Sequence, residues 1–157
     1  MRFTDTVVVF SSGFTHNTKR HAKYIASRIG ADMFDLKEHP KVDLTSYTKV
    51  VIGSGIRFGK PYKAFSKFCD EHAEELRSKD TYLYVCCVFE GEKAIQQVSK
   101  IAQGLGIEKF QFFSGKTDLN GDEFEEKVDW FLEIIPRTVI TDITEPEEEM
   151  DEEEIFK

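Results

Sequence analysis

The sequence predicts an α/β domain: a doubly wound, five-stranded parallel sheet in the order 2-1-3-4-5, with helices on both faces. Three observations carry this. Unbroken, β-branched-rich runs such as "TVVVF" and "TYLYVCCV" read as strands buried on both faces. They alternate with apolar residues at helical spacing, which is the pattern of a parallel sheet covered on both sides. The loops after the first and third strands are polar and glycine-rich, and those strands flank the point where a 2-1-3-4-5 order reverses.

The elements follow in order. Thr6 to Phe10 is the first strand. Ala22, Ile25, Ala26 and Ile29 recur at helical spacing, and Gly30 is a stop signal. "ADMFDL", Ala31 to Leu36, is a weaker second strand. "KVVIG", Lys49 to Gly53, is the third, and the loop "SGIRFGKPY" follows it. One helix is expected to carry Phe65, Phe68, Cys69, His72, Ala73 and Leu76. Thr81 to Val88 is the fourth strand. Ala94, Ile95, Val98, Ile101, Ala102 and Leu105 mark a helix closed by Gly106. "FQFFS", Phe110 to Ser114, is the last strand. Phe124, Val128, Phe131, Leu132 and Ile135 mark the last helix, ended by Pro136, where the regular elements are expected to be complete. Right-handed crossovers between these strands give the doubly wound arrangement.

A chain of 157 residues fits one domain with one sizeable core. No apolar run approaches the roughly 18 residues of a membrane span, and no secretory leader pattern opens the chain. Cys69, Cys86 and Cys87 do not make a disulfide framework. The expected setting is a reducing cytoplasm. The net charge of −8 is uneven: residues 145–157 hold eight acids and one base, Lys157, leaving 21 acids against 20 bases elsewhere. No basic stripe exists to replace the counterions of nucleic acid. The expected division is a domain over residues 1–144 and an acidic, disordered tail over 145–157. Ile155 and Phe156 at its tip leave a docking role open beside the solubilising one.

The first loop, "SSGFTHNT", places Ser11, Ser12, Gly13, Thr15, His16, Asn17 and Thr18 at a helix start. There the helix dipole is positive and several N–H groups lack partners, so a phosphate monoester fits. A capped helix start, using Thr15 or Asn17, is the plain alternative. Neither G-x-x-x-x-G-K-[ST] nor G-x-G-x-x-G is present, so a nucleoside triphosphate or dinucleotide is not indicated. In the second loop Ser54, Gly55, Ile56, Arg57, Phe58 and Gly59 offer close backbone approach, apolar walls and a charge. Tyr62 could also wall an aromatic ring. The third loop, Val88, Phe89, Glu90 and Gly91, could reach a ring's polar edge.

These motifs resemble the flavodoxin-domain family over roughly residues 6 to 135. "VVVFSSG…NTKRHAKYIA" followed by "YTKVVIGSGIRFGKPYKAFSKFCDEHAEEL" is nearest to its menaquinone-dependent protoporphyrinogen oxidase-like branch. The resemblance implies FMN, with Ser11, Ser12, Thr15, Asn17 and Thr18 on the phosphate. Ser54 to Gly59 and Val88 to Gly91 would flank the isoalloxazine. The first loop is one residue longer than the family's usual phosphate loop and has His16 where glycine is common. The basic and apolar insertion of the oxidase branch is absent. The expected function is therefore FMN-dependent electron transfer between redox partner proteins, with no catalytic acid or base. Two alternatives stand beside it: a small flavin-dependent reductase, or a binding or regulatory module without FMN.

No metal site is expected. His21, His39 and His72 lack ligand spacing. "DLNGDEFEEKVD", Asp118 to Asp129, has Glu123 and Asp129 where a calcium loop needs glycine and glutamate. Cys86 and Cys87 read as reduced core residues on opposite faces of a strand.

Overall fold

The computed structural model describes residues 2–13, 16–87, 91–114, 126–136 and 141–142. The chain order is β1 (Arg2–Phe3), β2 (Thr6–Phe10), α1 (Asn17–Ile29), β3 (Asp32–Asp35), β4 (Lys49–Arg57), β5 (Lys60–Pro61), α2 (Lys63–Glu71), α3 (Ala73–Ser78), β6 (Asp80–Cys87), α4 (Glu92–Leu105), β7 (Lys109–Ser114), α5 (Glu126–Ile134) and β8 (Thr141–Asp142). The main sheet runs β3-β2-β4-β6-β7, and these five strands pair in parallel. Counted along the chain, they stand in the predicted order 2-1-3-4-5.

Strand alternation divides the core into two layers. Val7 and Val9 of β2, Val50 and Ile52 of β4, and Leu83 and Val85 of β6 pack with Phe65 and Phe68 of α2, Leu76 of α3 and Val98 of α4. Val8, Phe10, Val51, Tyr82 and Tyr84 pack on the other face with Ile25 of α1 and Val128 and Phe131 of α5. Cys87 belongs to the first layer and Cys86 to the second, as the period of two requires. All three cysteines are buried and none is in a disulfide.

Helix ends follow local chemistry. Gly30 and Gly106 close α1 and α4 with φ of 71° and 73°, a conformation that costs glycine little.

Three features depart from the sequence reading. The loop after "KVVIG" is mostly strand: β4 continues to Arg57, because Ser54 and Gly55 pair with Val85 and Cys86, and Ile56 and Arg57 pair with Pro61 and Lys60. The single helix expected over Phe65 to Leu76 is two helices meeting at His72, whose φ of −115° and ψ of 25° break the ladder. The His72 Nδ1 lies 2.8 Å from Glu75 Oε1 at this junction. Regular structure does not stop at Pro136 either. β8 lies beyond it and pairs antiparallel with β1, Arg2 opposite Asp142.

Candidate functional site

The pairing of β2 with β4 ends at Phe10 opposite Gly53, and β4 runs on to Arg57. A cleft of about 1000 Å³ opens there, at the carboxyl end of the sheet. Ser11, Ser12 and Gly13 line one side, and Ile56, Arg57 and Phe58 line the other. Six of the residues singled out in the first two loops are thus brought to one place.

The first wall is held by its backbone. The N–H of Ser11 donates to the Gly53 carbonyl at 3.1 Å. The N–H of Ser12 donates to Asp35 Oδ1 at 3.2 Å. His16 is exposed and left-handed, with φ of 62° and ψ of 11°, and its side chain does not cap α1. The N–H of Arg20 donates to the His16 carbonyl at 3.0 Å. The helix dipole is positive at this end.

Asn17 and Thr18 are buried behind this wall. The Asn17 carbonyl lies 2.9 Å from His21 Nδ1, and its side-chain oxygen accepts from Arg20 Nη2 at 3.2 Å. The Thr18 carbonyl accepts from the Tyr84 hydroxyl at 2.9 Å. The Thr18 side chain acts on the Tyr62 phenol and lowers its pKa. His21 in turn stacks on Phe113, with ring centroids 4.9 Å apart, and its Nδ1 lies 3.7 Å from Cys86 Sγ.

The second wall is a hairpin. Phe58 and Gly59 have φ of 54° and 77° between the paired residues Arg57 and Lys60. Two successive positive φ values in a two-residue connection are those of a type I′ turn. Phe58 is 91% exposed at this tip, and the Arg57 guanidinium lies 5.4 Å from its ring centroid. The Gln97 amide of α4 donates to the Gly59 carbonyl at 3.4 Å. Ser54 is fully buried and acts within the protein: its hydroxyl donates to the Gly55 carbonyl at 2.8 Å and accepts from the Tyr62 N–H at 3.0 Å.

Tyr62 joins the two walls. Its hydroxyl end occupies the space where a Cβ on either Gly13 or Gly55 would lie. Both glycines are therefore needed to seat this ring. Burial pushes the phenol's pKa up, the neighbouring Cys86 adds to this, and the Thr18 hydroxyl and Arg57 pull the other way. The phenol stays neutral near pH 7. Glycines from two separate loops prove to flank one tyrosine, and nothing in their spacing signalled that.

Gly91 opens α4 with φ of 70° and ψ of −143°, and its carbonyl accepts from the Ile95 N–H at 3.1 Å. Thr15, Val88, Phe89 and Glu90 lie outside the described residues, as do Phe124 and residues 145–157. Among the described residues no group of three or more His, Cys, Asp or Glu could hold a metal ion. No helix among them is long and apolar enough to cross a membrane.

A five-stranded doubly wound sheet with a cleft at its reversal point defines an α/β domain of the open-sheet kind. The chain belongs to the flavodoxin domain family, whose model matches residues 7–129. It is 32% identical over 84 residues to the protoporphyrinogen IX dehydrogenase [quinone] of Escherichia coli strain K12, a match covering 50% of this chain and 46% of that protein. The chain spans less than half the length of the curated relatives it matches. Among solved structures it is similar to the oxidised flavodoxin 1 of Bacillus cereus, with a TM-score of 0.56 and 17% identity over 82% of this chain and 92% of that one. It is also similar to a flavoprotein in complex with FMN from Lactobacillus acidophilus, with a TM-score of 0.51 and 16% identity over 70% of this chain and 93% of that one. At such identities the solved structures establish the fold alone.

Proposed function

We propose that the protein binds FMN in the cleft and carries electrons between redox partner proteins. The observation that carries this reading is the meeting of two unlike walls. One is a strand-to-helix turn, Ser11 to Gly13, leading to a helix N-terminus that no N-cap side chain caps. The other is an apolar and aromatic hairpin, Ile56 to Phe58. A phosphate suits the first wall and a flat ring suits the second. A cleft of about 1000 Å³ has room for both. Family membership supports the reading, and one of the solved structures similar to this chain is described as an FMN complex.

FMN supplies reversible electron uptake and release when bound. The protein's part is to hold and orient. Ser11, Ser12 and Gly13 would hold the phosphate end, with Thr15, His16, Asn17 and Thr18 completing the turn. Ile56, Arg57 and Phe58 would flank the ring, with Ser54, Gly55 and Gly59 shaping the hairpin. Val88 to Gly91 would approach the ring from the third loop. The reading needs no general acid or base.

An absorbance spectrum of the purified protein before and after adding FMN tests this. Perturbed flavin bands at one equivalent are expected. Bands identical to free FMN, with no change in flavin fluorescence, would leave the flavin-free regulatory module as the better reading. The match to the E. coli dehydrogenase favours one further reading, a small flavin-dependent reductase. Steady turnover of a quinone by the protein under a continuing supply of reductant, faster than the reductant alone achieves, would distinguish it from a carrier.

A further inference from the structure

The charge around the cleft does not resemble the charge of the whole chain. The net charge is −8, yet residues 54–69 contain Arg57, Lys60, Lys63 and Lys67 and no acid. Arg57, Lys60 and Lys63 stand on the hairpin side of the cleft, and Lys37 stands across from them. Lys63 and Lys67 are one helical turn apart, on one face of α2. All five are exposed. None of them forms an ion pair with an acid among the described residues, whereas Lys49 and Lys109 elsewhere do. Phe58 projects from the middle of this group, almost fully exposed, on a left-handed residue.

We propose that this rim is a docking surface for an acidic electron-transfer protein. Unpaired cations at a cleft mouth raise the encounter rate with an anionic partner and orient it. An exposed aromatic at the centre of such a rim supplies the apolar anchor that a charged ring lacks. A membrane surface is less well matched, because among the described residues of the rim Phe58 is the one exposed large hydrophobic side chain. The purpose of the surface rests on the electron-carrier reading, but the docking itself does not.

The test uses the full chain and two dye-labelled probes: an acidic [2Fe–2S] ferredoxin and the basic protein cytochrome c. Fluorescence anisotropy is read at low and high salt. The ferredoxin is expected to bind at low salt and to be released at high salt, and cytochrome c is expected to bind more weakly. The triple variant Lys60→Glu, Lys63→Glu, Lys67→Glu should weaken ferredoxin binding at least about tenfold with an unchanged melting temperature. The single variant Phe58→Ser should weaken it with an unchanged salt dependence. Equal binding of the two probes, or a triple variant that binds as the parent does, overturns the proposal. So does binding to phosphatidylglycerol vesicles without binding to ferredoxin. FMN titration of the same samples separates the two readings. Protein that takes FMN but ignores the ferredoxin defeats the docking proposal alone. Protein that binds the ferredoxin but takes no FMN upholds the docking and defeats the carrier function.

Discussion

The Tyr84 hydroxyl donates to the Thr18 carbonyl at 2.9 Å, linking the central sheet to the first turn of α1. Tyr84 reaches across Gly53, its partner in the neighbouring strand, and the ring fills the space that a Cβ there would take. The ring is fully buried, and burial pushes the phenol's pKa well up, with Cys86 and Asp35 adding to the effect. A sheet position without a side chain thus becomes the channel for a bond to the helix that borders the cleft.

Gly53→Ala is expected to destabilise the fold by about 2–3 kcal/mol, because a rigid ring and strand backbone cannot both yield. Urea unfolding measures this. The same substitution in a Tyr84→Ala background should cost much less, since the clashing ring is gone. Equal costs in both backgrounds would show that the ring is not the obstacle. Tyr84→Phe alone is expected to cost about 0.5–1.5 kcal/mol, the net worth of one hydrogen bond, because the Thr18 carbonyl keeps its helical N–H partner within α1.

FMN is expected to bind more tightly than riboflavin, because the first wall is suited to a phosphate. Ser12→Ala should weaken FMN by about tenfold and riboflavin hardly at all. Flavin fluorescence titrations give both constants. An equal loss for the two flavins would mean that the substitution had disturbed the turn that Ser12 anchors on Asp35.

Phe58→Asn is expected to stabilise the hairpin by about 1 kcal/mol, since asparagine tolerates the left-handed region better than phenylalanine. The contact between Arg57 and the Phe58 ring offsets part of this. A higher urea midpoint with an unchanged slope is the expected result. A lower midpoint would mean that the aromatic ring contributes more to the fold than its exposure indicates.

The cysteines should be inert in the folded protein. Burial, with a smaller effect from Asp70, pushes the Cys69 thiol up to about 12. The reactive thiolate is therefore scarce near pH 8. A disulfide-exchange reagent should titrate no fast thiol until denaturant is added. A prompt reaction in the native state would contradict the burial of all three.

Removing residues 145–157 should leave the melting temperature and flavin binding nearly unchanged. An acidic segment with little apolar surface does not repay its ordering entropy. The cut also spares the β1–β8 pair. A fall of many degrees would show that Ile155 and Phe156 pack on the domain.

The sheet was legible because buried parallel strands write themselves as unbroken β-branched runs, and Val7 to Val9 and Val50 to Ile52 are exposed at no more than 0%. The hairpin was not, because Gly55, Gly59 and Pro61 punctuate like a loop and Phe-Gly is not the usual two-residue turn. The break at His72 was hidden because the apolar spacing from Phe65 to Leu76 continues across it. Of the candidate site, the hydroxyl-bearing first loop was visible in composition. The use of Thr18 by Tyr62 and Tyr84 was not, since both partners are distant in sequence and join it only through the fold. β1 and β8 are two residues each, too short for any periodicity to mark.

That small antiparallel pair has a topological consequence. Arg2 stands opposite Asp142, before the sheet's first long strand and so at the end away from the cleft. The described chain is therefore nearly a closed ring. A short peptide joining these ends, with new termini cut in the exposed stretch from His39 to Lys41, beyond the cleft-lining Lys37, would yield a circular permutant whose strand order and cleft are conserved.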